Sequence, residues 1–196
     1  MAYWFFYWTM RLLNTVYFRA VYRGLENLPK EGGFIIACNH ISNLDPFIMG
    51  IAQRRKFSFL AKDSLFKGFL MNWAFRAMGA FPVKRGTADL GALREAVRRL
   101  NQGGRLILFP EGTRGVTGRE KKAQPGVGFI TTKAQCPVIP AYIEGTEKAL
   151  PYGAKWFRRH QVHVTFGKPL HLTGSKDYAA ISKTILDHIY QIAPSS

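Results

Sequence analysis

The segment NHISNLD, residues 39–45, places a histidine and a carboxylate five residues apart with a loop-like Ile-Ser-Asn between them. A hydroxyl that is to attack an acyl carbonyl needs a base, and neutral imidazole is the side chain best matched to pH 7. A carboxylate held against the second ring nitrogen fixes the tautomer and stabilises the imidazolium that forms. A turn in the loop can fold Asp45 back onto His40, which a rigid strand of that length could not do. Asp45 also precedes Pro46, and Asp at a helix N-cap followed by Pro is an ordinary helix start. The two readings are compatible, because one carboxylate has two oxygens.

Two other clusters carry the means to hold an anion. FPEGTRG, residues 109–115, follows an apolar run and presents Glu111, Gly112, Thr113 and Arg114 together. Arg114 offers a planar two-pronged donor set to a phosphate. Gly112 allows backbone N–H groups to approach an anion closely. Glu111 is suited to bind a substrate hydroxyl or to brace Arg114. GAFPVKRG, residues 79–86, brings Lys84 and Arg85 to another strand end, and Lys62 follows FSFLA in a similar place. The plainer reading of each is a solvated charge or a glycine turn with an exposed Glu–Arg pair.

The elements that must position these clusters alternate along the chain. Short β-branched or aromatic runs predict strands at Phe34–Cys38, Phe57–Ala61, Ala80–Lys84, Arg105–Phe109, Val138–Ile143 and Val162–Phe166. Amphipathic stretches predict helices at Pro46–Gln53, Leu65–Met78, Ala88–Asn101, Val127–Ala134 and Tyr178–Ile192. The clearest carries Leu90, Leu93, Val97 and Leu100 on one stripe and stops at Gly103-Gly104. Such alternation implies an α/β fold with a mixed, largely parallel sheet flanked by helices. The three polar clusters then stand at strand exits, where function collects in these folds.

The totals narrow the partners. There are 28 Lys and Arg against 12 Asp and Glu, a formal net charge of +16, so the partner is expected to be anionic. Residues 1–23 are dense in Trp, Tyr and Phe, and Arg11 and Arg19 interrupt the apolar run before it reaches spanning length. Arg11, Arg19 and Arg23 fall on about a third of a helix circumference. Residues 1–23 therefore read as an amphipathic helical segment lying in a membrane interface, ahead of one domain at 24–196. The alternative is a helix simply packed on the domain. Cys38 and Cys136 offer neither a disulfide framework nor metal-ligand spacing, as expected in a reducing cytosol. His160 and His163 are spaced to face opposite sides of a strand, and no metal is implied.

In order and content these clusters resemble the lysophosphatidic acid acyltransferase family, the 1-acylglycerol-3-phosphate acyltransferases of the bacterial PlsC type. NHISNLD matches the family's N-H-x4-D block, GAFPVKRG its second block, FPEGTRG its third, and VIPAYIEG, residues 138–145, its fourth, with Pro140 at the centre. Lys84 departs from the acidic residue often found in the second block. The resemblance implies an acyl transfer from a thioester, acyl-ACP or acyl-CoA, to the sn-2 hydroxyl of lysophosphatidic acid. His40 and Asp45 would be catalytic. Lys62, Arg85 and Arg114 would hold the phosphate, with Glu111, Gly112 and Thr113 beside it, and Pro140 would shape the acyl-donor side. The same resemblance implies no cofactor, an anionic membrane surface as partner, and a peripheral, monotopic place on the cytoplasmic face of the inner membrane.

Three other readings compete. The chain could acylate another lysolipid, bind anionic lipid without catalysis, or pass the acyl group to water. Nucleic acid is set aside, because the basic residues are spread through the chain and no binding motif organises them. The stretch from Lys148 to Lys176 holds no Asp or Glu and reads as a second membrane-facing patch or a dock for an acidic acyl carrier.

Overall fold

Residues 34–38 are apolar throughout and buried throughout, the pattern of a strand covered on both faces. The computed structural model describes residues 1–84, 89–113, 122–172 and 175–194, and places this run near the middle of a seven-stranded sheet. The strands are β1 (Val21–Arg23), β2 (Phe34–Cys38), β3 (Ser58–Lys62), β4 (Ala80–Val83), β5 (Arg105–Leu108), β6 (Val138–Glu144) and β7 (His163–Phe166). Their order is β1-β7-β6-β2-β5-β3-β4, and every pairing is parallel except β6 with β7. The expected mixed, largely parallel α/β sheet is therefore what the chain forms.

Strands β6, β2, β5, β3 and β4 all point the same way, so their carboxyl ends share one edge. The chain leaves β2 towards β3 and β4, returns to β5 between β2 and β3, and then crosses to β6 on the other side. A reversal of this kind opens a crevice at the carboxyl edge.

Side chains of β2 alternate between two cores. Phe34, Ile36 and Cys38 pack with α1 (Ala2–Leu13) and α2 (Asp45–Gly50), while Ile35 and Ala37 pack with α4 (Leu90–Asn101), α5 (Pro125–Ala134) and α7 (Tyr178–Gln191). Each fully buried Ile or Phe stabilises the fold by roughly 1.5–3 kcal/mol, so the sheet is held from both sides. The remaining helices are α3 (Phe69–Ala77) and α6 (Thr146–Ala149).

The amino-terminal segment differs from expectation. The α-helix ends at Leu13, a π-type turn covers Asn14–Phe18, and Arg19 adopts a left-handed φ of 43°. The reason is local. The Asn14 side-chain oxygen accepts the Ala20 N–H at 3.0 Å, and Phe18 turns fully into the core. Residues 21–23 are then an edge strand paired with β7, so Arg19 and Arg23 do not share a helical face with Arg11. Residues 1–23 are also bonded to the chain that follows. The Tyr3 hydroxyl donates to the Arg55 carbonyl and accepts from the Phe57 N–H, and Tyr22 donates to the Ile48 carbonyl. The expected helix Leu65–Met78 is likewise split. A 3-10 turn at Asp63–Phe66 precedes α3, and Gly68, at φ 80°, separates them. Among the described residues, no helix is long and apolar enough to cross a membrane.

Candidate active site

β2 ends at Cys38, and the next residue fastens the loop that follows. Asn39 is buried, and its side-chain amide donates to the Ile143 carbonyl and accepts the Ile143 N–H, both at 2.8 Å. The side chain thus continues the β2–β6 ladder by imitating a backbone unit. Beyond it the chain turns back on itself, and the Asp45 carboxylate gathers the turn. Oδ2 accepts the Ile41 N–H at 2.7 Å and the Ser42 N–H at 2.8 Å, and lies 2.8 Å from His40 Nδ1. Oδ1 accepts the Thr146 hydroxyl at 2.5 Å, from the start of α6.

Asp45 is not the helix cap that its place before Pro46 suggested. Leu44 is the cap residue, Asp45 opens α2, and its carboxylate reaches backward into the loop. A hydrogen-bonded carboxylate on Nδ1 leaves Nε2 as the ring nitrogen that can take a proton. The His40 ring lies against Phe109 with centroids 4.1 Å apart and planes 21° apart, so one face of the imidazole is covered by an apolar ring. His40 and Asp45 are both buried, and the imidazole keeps only a narrow opening to solvent.

Next to β2, β5 delivers the FPEG turn. The Phe109 carbonyl accepts the Gly112 N–H at 2.9 Å, closing a turn with Pro110 at its second position and Gly112 at its fourth. Gly112 has φ 69°, the left-handed region that favours glycine, and a Cβ there would stand 2.8 Å from Cγ of the exposed Gln124 side chain. Glu111 is buried, and Tyr190 of α7 donates to its Oε1 at 2.6 Å. Thr113 is exposed at the end of the turn. Lys62, the last residue of β3, is exposed on the same carboxyl edge, two strand spacings from β2, or roughly 10 Å. Lys84 follows β4, where its backbone N–H donates to Asp89. Arg85 and Arg114 lie outside the described residues.

Pro140 is not on this surface. It sits within β6, buried, paired with Ala37, and its ring lies toward Gly167 and Ile192 on the α7 side of the sheet. Alternation along β6 sends Ile139 and Ala141 to the dyad's side and Pro140 to the other. Its carbonyl accepts the Gly167 N–H, which puts the missing N–H where β7 ends.

Cys38 lies directly before the dyad, and burial pushes its thiol well above the ordinary cysteine range, with the Asp45 charge adding to the effect. A thiol so buried does not supply a nucleophile. On the dyad's side of the sheet, α1 and α2 leave an apolar crevice. Its walls include Tyr3, Phe6 and Met10 from α1, Phe47 from α2, Ile51 directly after it, and Ile107 from β5.

Thr146 and Tyr190 had no mark in the sequence as site residues, while Asn39 and Phe109 stood inside NHISNLD and FPEGTRG with no role assigned to them. Thr146 directly follows VIPAYIEG, so its neighbourhood was visible though its contact was not. Nothing local points to Tyr190.

The likeness to known proteins runs along the same elements. The acyltransferase family model matches residues 19–144. The chloroplastic 1-acyl-sn-glycerol-3-phosphate acyltransferase LPAT1 of Arabidopsis thaliana is 32% identical over 157 residues, covering 78% of this chain and 43% of that protein. The 1-acyl-sn-glycerol-3-phosphate acyltransferase of Bacillus subtilis is 28% identical over 147 residues, covering 74% of this chain and 71% of that one. In crystal structure the lysophosphatidate acyltransferase PlsC of Thermotoga maritima matches with a TM-score of 0.70 and 26% identity, over 97% of this chain and 80% of that one. The chain spans less than half the length of its plant relatives. With the family model covering well over half of it and the dyad seated at the carboxyl edge of the shared sheet, the chain belongs to the acyltransferase family.

Proposed function

We propose that the protein transfers an acyl chain from an acyl thioester to the sn-2 hydroxyl of lysophosphatidic acid, giving phosphatidic acid. The observation that carries this reading is the buried His40–Asp45 pair, with Asp45 fixed by three further donors and Nε2 left to act. Nε2 takes the hydroxyl proton as the oxygen attacks the thioester carbon. The C–S bond then breaks, and the imidazolium returns its proton to the departing thiolate. Asp45 holds the ring and stabilises its cation. A thioester is already activated, so no enzymic nucleophile is needed, which agrees with the inert environment of Cys38.

Lys62 at the end of β3, with Arg85 and Arg114 from the adjoining segments, binds the phosphomonoester, whose charge near pH 7 is about −1.5 to −2. Glu111, braced by Tyr190, contacts the glycerol side or holds Arg114, and Gly112 and Thr113 shape the turn beside it. The apolar crevice under α1 receives an acyl chain. The donor is an acyl carrier protein or coenzyme A thioester, acting as co-substrate, and no other cofactor is invoked. Docking through α1 to an anionic leaflet on the cytoplasmic face would bring the crevice to its lipid substrate.

The test is a transfer assay that crosses a lysolipid panel with both thioester donors. Wild type should give two-chain lipid, with lysophosphatidate preferred, and His40→Ala should lower the rate by about a hundredfold to ten-thousandfold. Free fatty acid as the main product, or an active His40→Ala protein, would remove this reading.

A further inference from the structure

α3 has no buried residue, although a nine-residue helix in an α/β fold ordinarily hides one face. Phe69 is 89% exposed, Leu70 66% and Trp73 49%, and Leu65 in the preceding turn is also exposed. These side chains stand beside α1, because Phe6 of α1 meets the Trp73 ring at 6.0 Å. α1 itself shows Phe5, Trp8 and Leu12 outward. Two helices far apart in sequence thus present one joined apolar face.

The rim of that face is cationic. Arg54 lies over the Trp8 ring at 5.5 Å and Arg76 over the Phe66 ring at 5.8 Å, with Lys67 exposed between the 3-10 turn and α3. From residue 54 to residue 84 the sequence has seven Lys or Arg and a single acid, Asp63. A protein partner would need carboxylates around an apolar patch of its own. A lipid leaflet supplies phosphate at the rim and hydrocarbon behind it, the layering that aromatic and basic side chains favour.

From this juxtaposition we infer that α3 is a second membrane-inserting element, which seats an anionic bilayer surface jointly with α1. The inference rests on the proposed membrane docking of α1 and extends it to a segment outside the amino terminus. Two contact elements fix an orientation where one would leave the molecule free to roll. Phe6 belongs both to the crevice wall and to the α1–α3 contact, and Met78, directly after α3, lines the crevice too. The shared face therefore holds the crevice against the leaflet from which a lipid must enter.

Co-sedimentation with vesicles of phosphatidylglycerol and phosphatidylcholine tests this with four proteins: wild type, Leu70→Ser/Trp73→Ser, Phe5→Ser/Trp8→Ser, and Leu90→Ser on α4 as a control across the sheet. The α3 and α1 variants should each lose about tenfold or more in partitioning, as expected from removing interfacial apolar area. The control should match wild type. Transfer to a lysophosphatidate dispersed as monomers should change less than about twofold in the α3 variant, since chemistry at the dyad is untouched. An α3 variant that partitions like wild type, while the α1 variant does not, overturns the role of α3 and leaves the membrane reading intact. Failure of wild type to partition overturns both. A fall from dimer to monomer mass with unchanged partitioning assigns the face to a second copy and also overturns the proposal. Hydrogen exchange on the wild type needs no variant: vesicles should slow amides in residues 65–77, and an unchanged rate there counts against α3 even if a variant misfolds.

Discussion

Asp45 illustrates how a single side chain can specify a loop and, in the proposed function, a reaction together. Two backbone N–H groups, an imidazole and a hydroxyl converge on its two oxygens, so the carboxylate cannot rotate without breaking several charge-assisted bonds. The His40–Asp45 half of this cluster was legible in the sequence because a turn of five residues is a local matter. Thr146 was not, since its hydroxyl arrives from 101 residues away by the adjacency of β6 to β2, which no residue spacing encodes. The same holds for Tyr190, 79 residues from Glu111. We expect Thr146 to act as a positioning residue. Thr146→Val keeps the shape and removes the donor, leaving a buried carboxylate oxygen short of a partner, at a cost of about 1–3 kcal/mol in stability. With the carboxylate freed on one side, kcat should fall about tenfold, equivalent to about 1.4 kcal/mol of barrier, with little change in KM. Thr146→Ser restores the donor and should restore kcat. If thermal melts show the loss of stability but kcat of Thr146→Val stays at the wild-type value, the hydroxyl only supports the fold.

Among the elements, α4 and α7 were legible from the stripe of apolar residues alone, and each is capped by an aspartate whose side chain accepts an N–H in the first turn. The amino-terminal segment was less so. Its aromatic residues satisfy several periodicities at once, and the break came from one Asn14 side-chain bond and the burial of Phe18. The crossing of α5 with α7 was hidden for another reason. Gly128 reads as a weak point in a helix, yet a Cβ there would stand 2.1 Å from the Tyr178 carbonyl oxygen, and Ser182 accepts the Gly128 N–H at 2.8 Å. The glycine lets two helices touch backbone to backbone and so close the core behind β2 and β6. Gly128→Ala should push them apart and destabilise the protein by about 1–3 kcal/mol, read as a lower denaturant midpoint with an unchanged m-value. A midpoint equal to wild type would show that α7 can shift freely. Because Tyr190 sits on α7 and reaches Glu111, the same variant should also lower kcat/KM.

For the molecule as a whole, charge and apolar surface act over different distances. In the proposed docking, the formal net charge of +16, spread over the chain, would attract an anionic leaflet from beyond contact. The outward residues of α1 and α3 engage only once they touch it. Lys155, Arg158 and Arg159 extend the positive surface through the exposed loop before β7, which also shows Tyr152 and Trp156. The Debye length is about 10 Å at 0.1 M salt and about 3 Å at 1 M, so salt should strip the long-range part and leave the contact part. Partitioning onto phosphatidylglycerol vesicles is therefore expected to fall steeply, by about tenfold or more, between 0.05 and 0.5 M salt, at about 1 kcal/mol for each basic residue near the surface. It should then level off above zero, at a value close to that on purely zwitterionic vesicles, where salt should matter little. The Leu70→Ser/Trp73→Ser protein should show the same salt slope and a lower plateau, because its loss is apolar. A slope that changes with that variant, or a plateau that does not, would mean that charge and apolar contact are not separable on this surface, and the division of labour between the basic rim and the two helices would have to be abandoned.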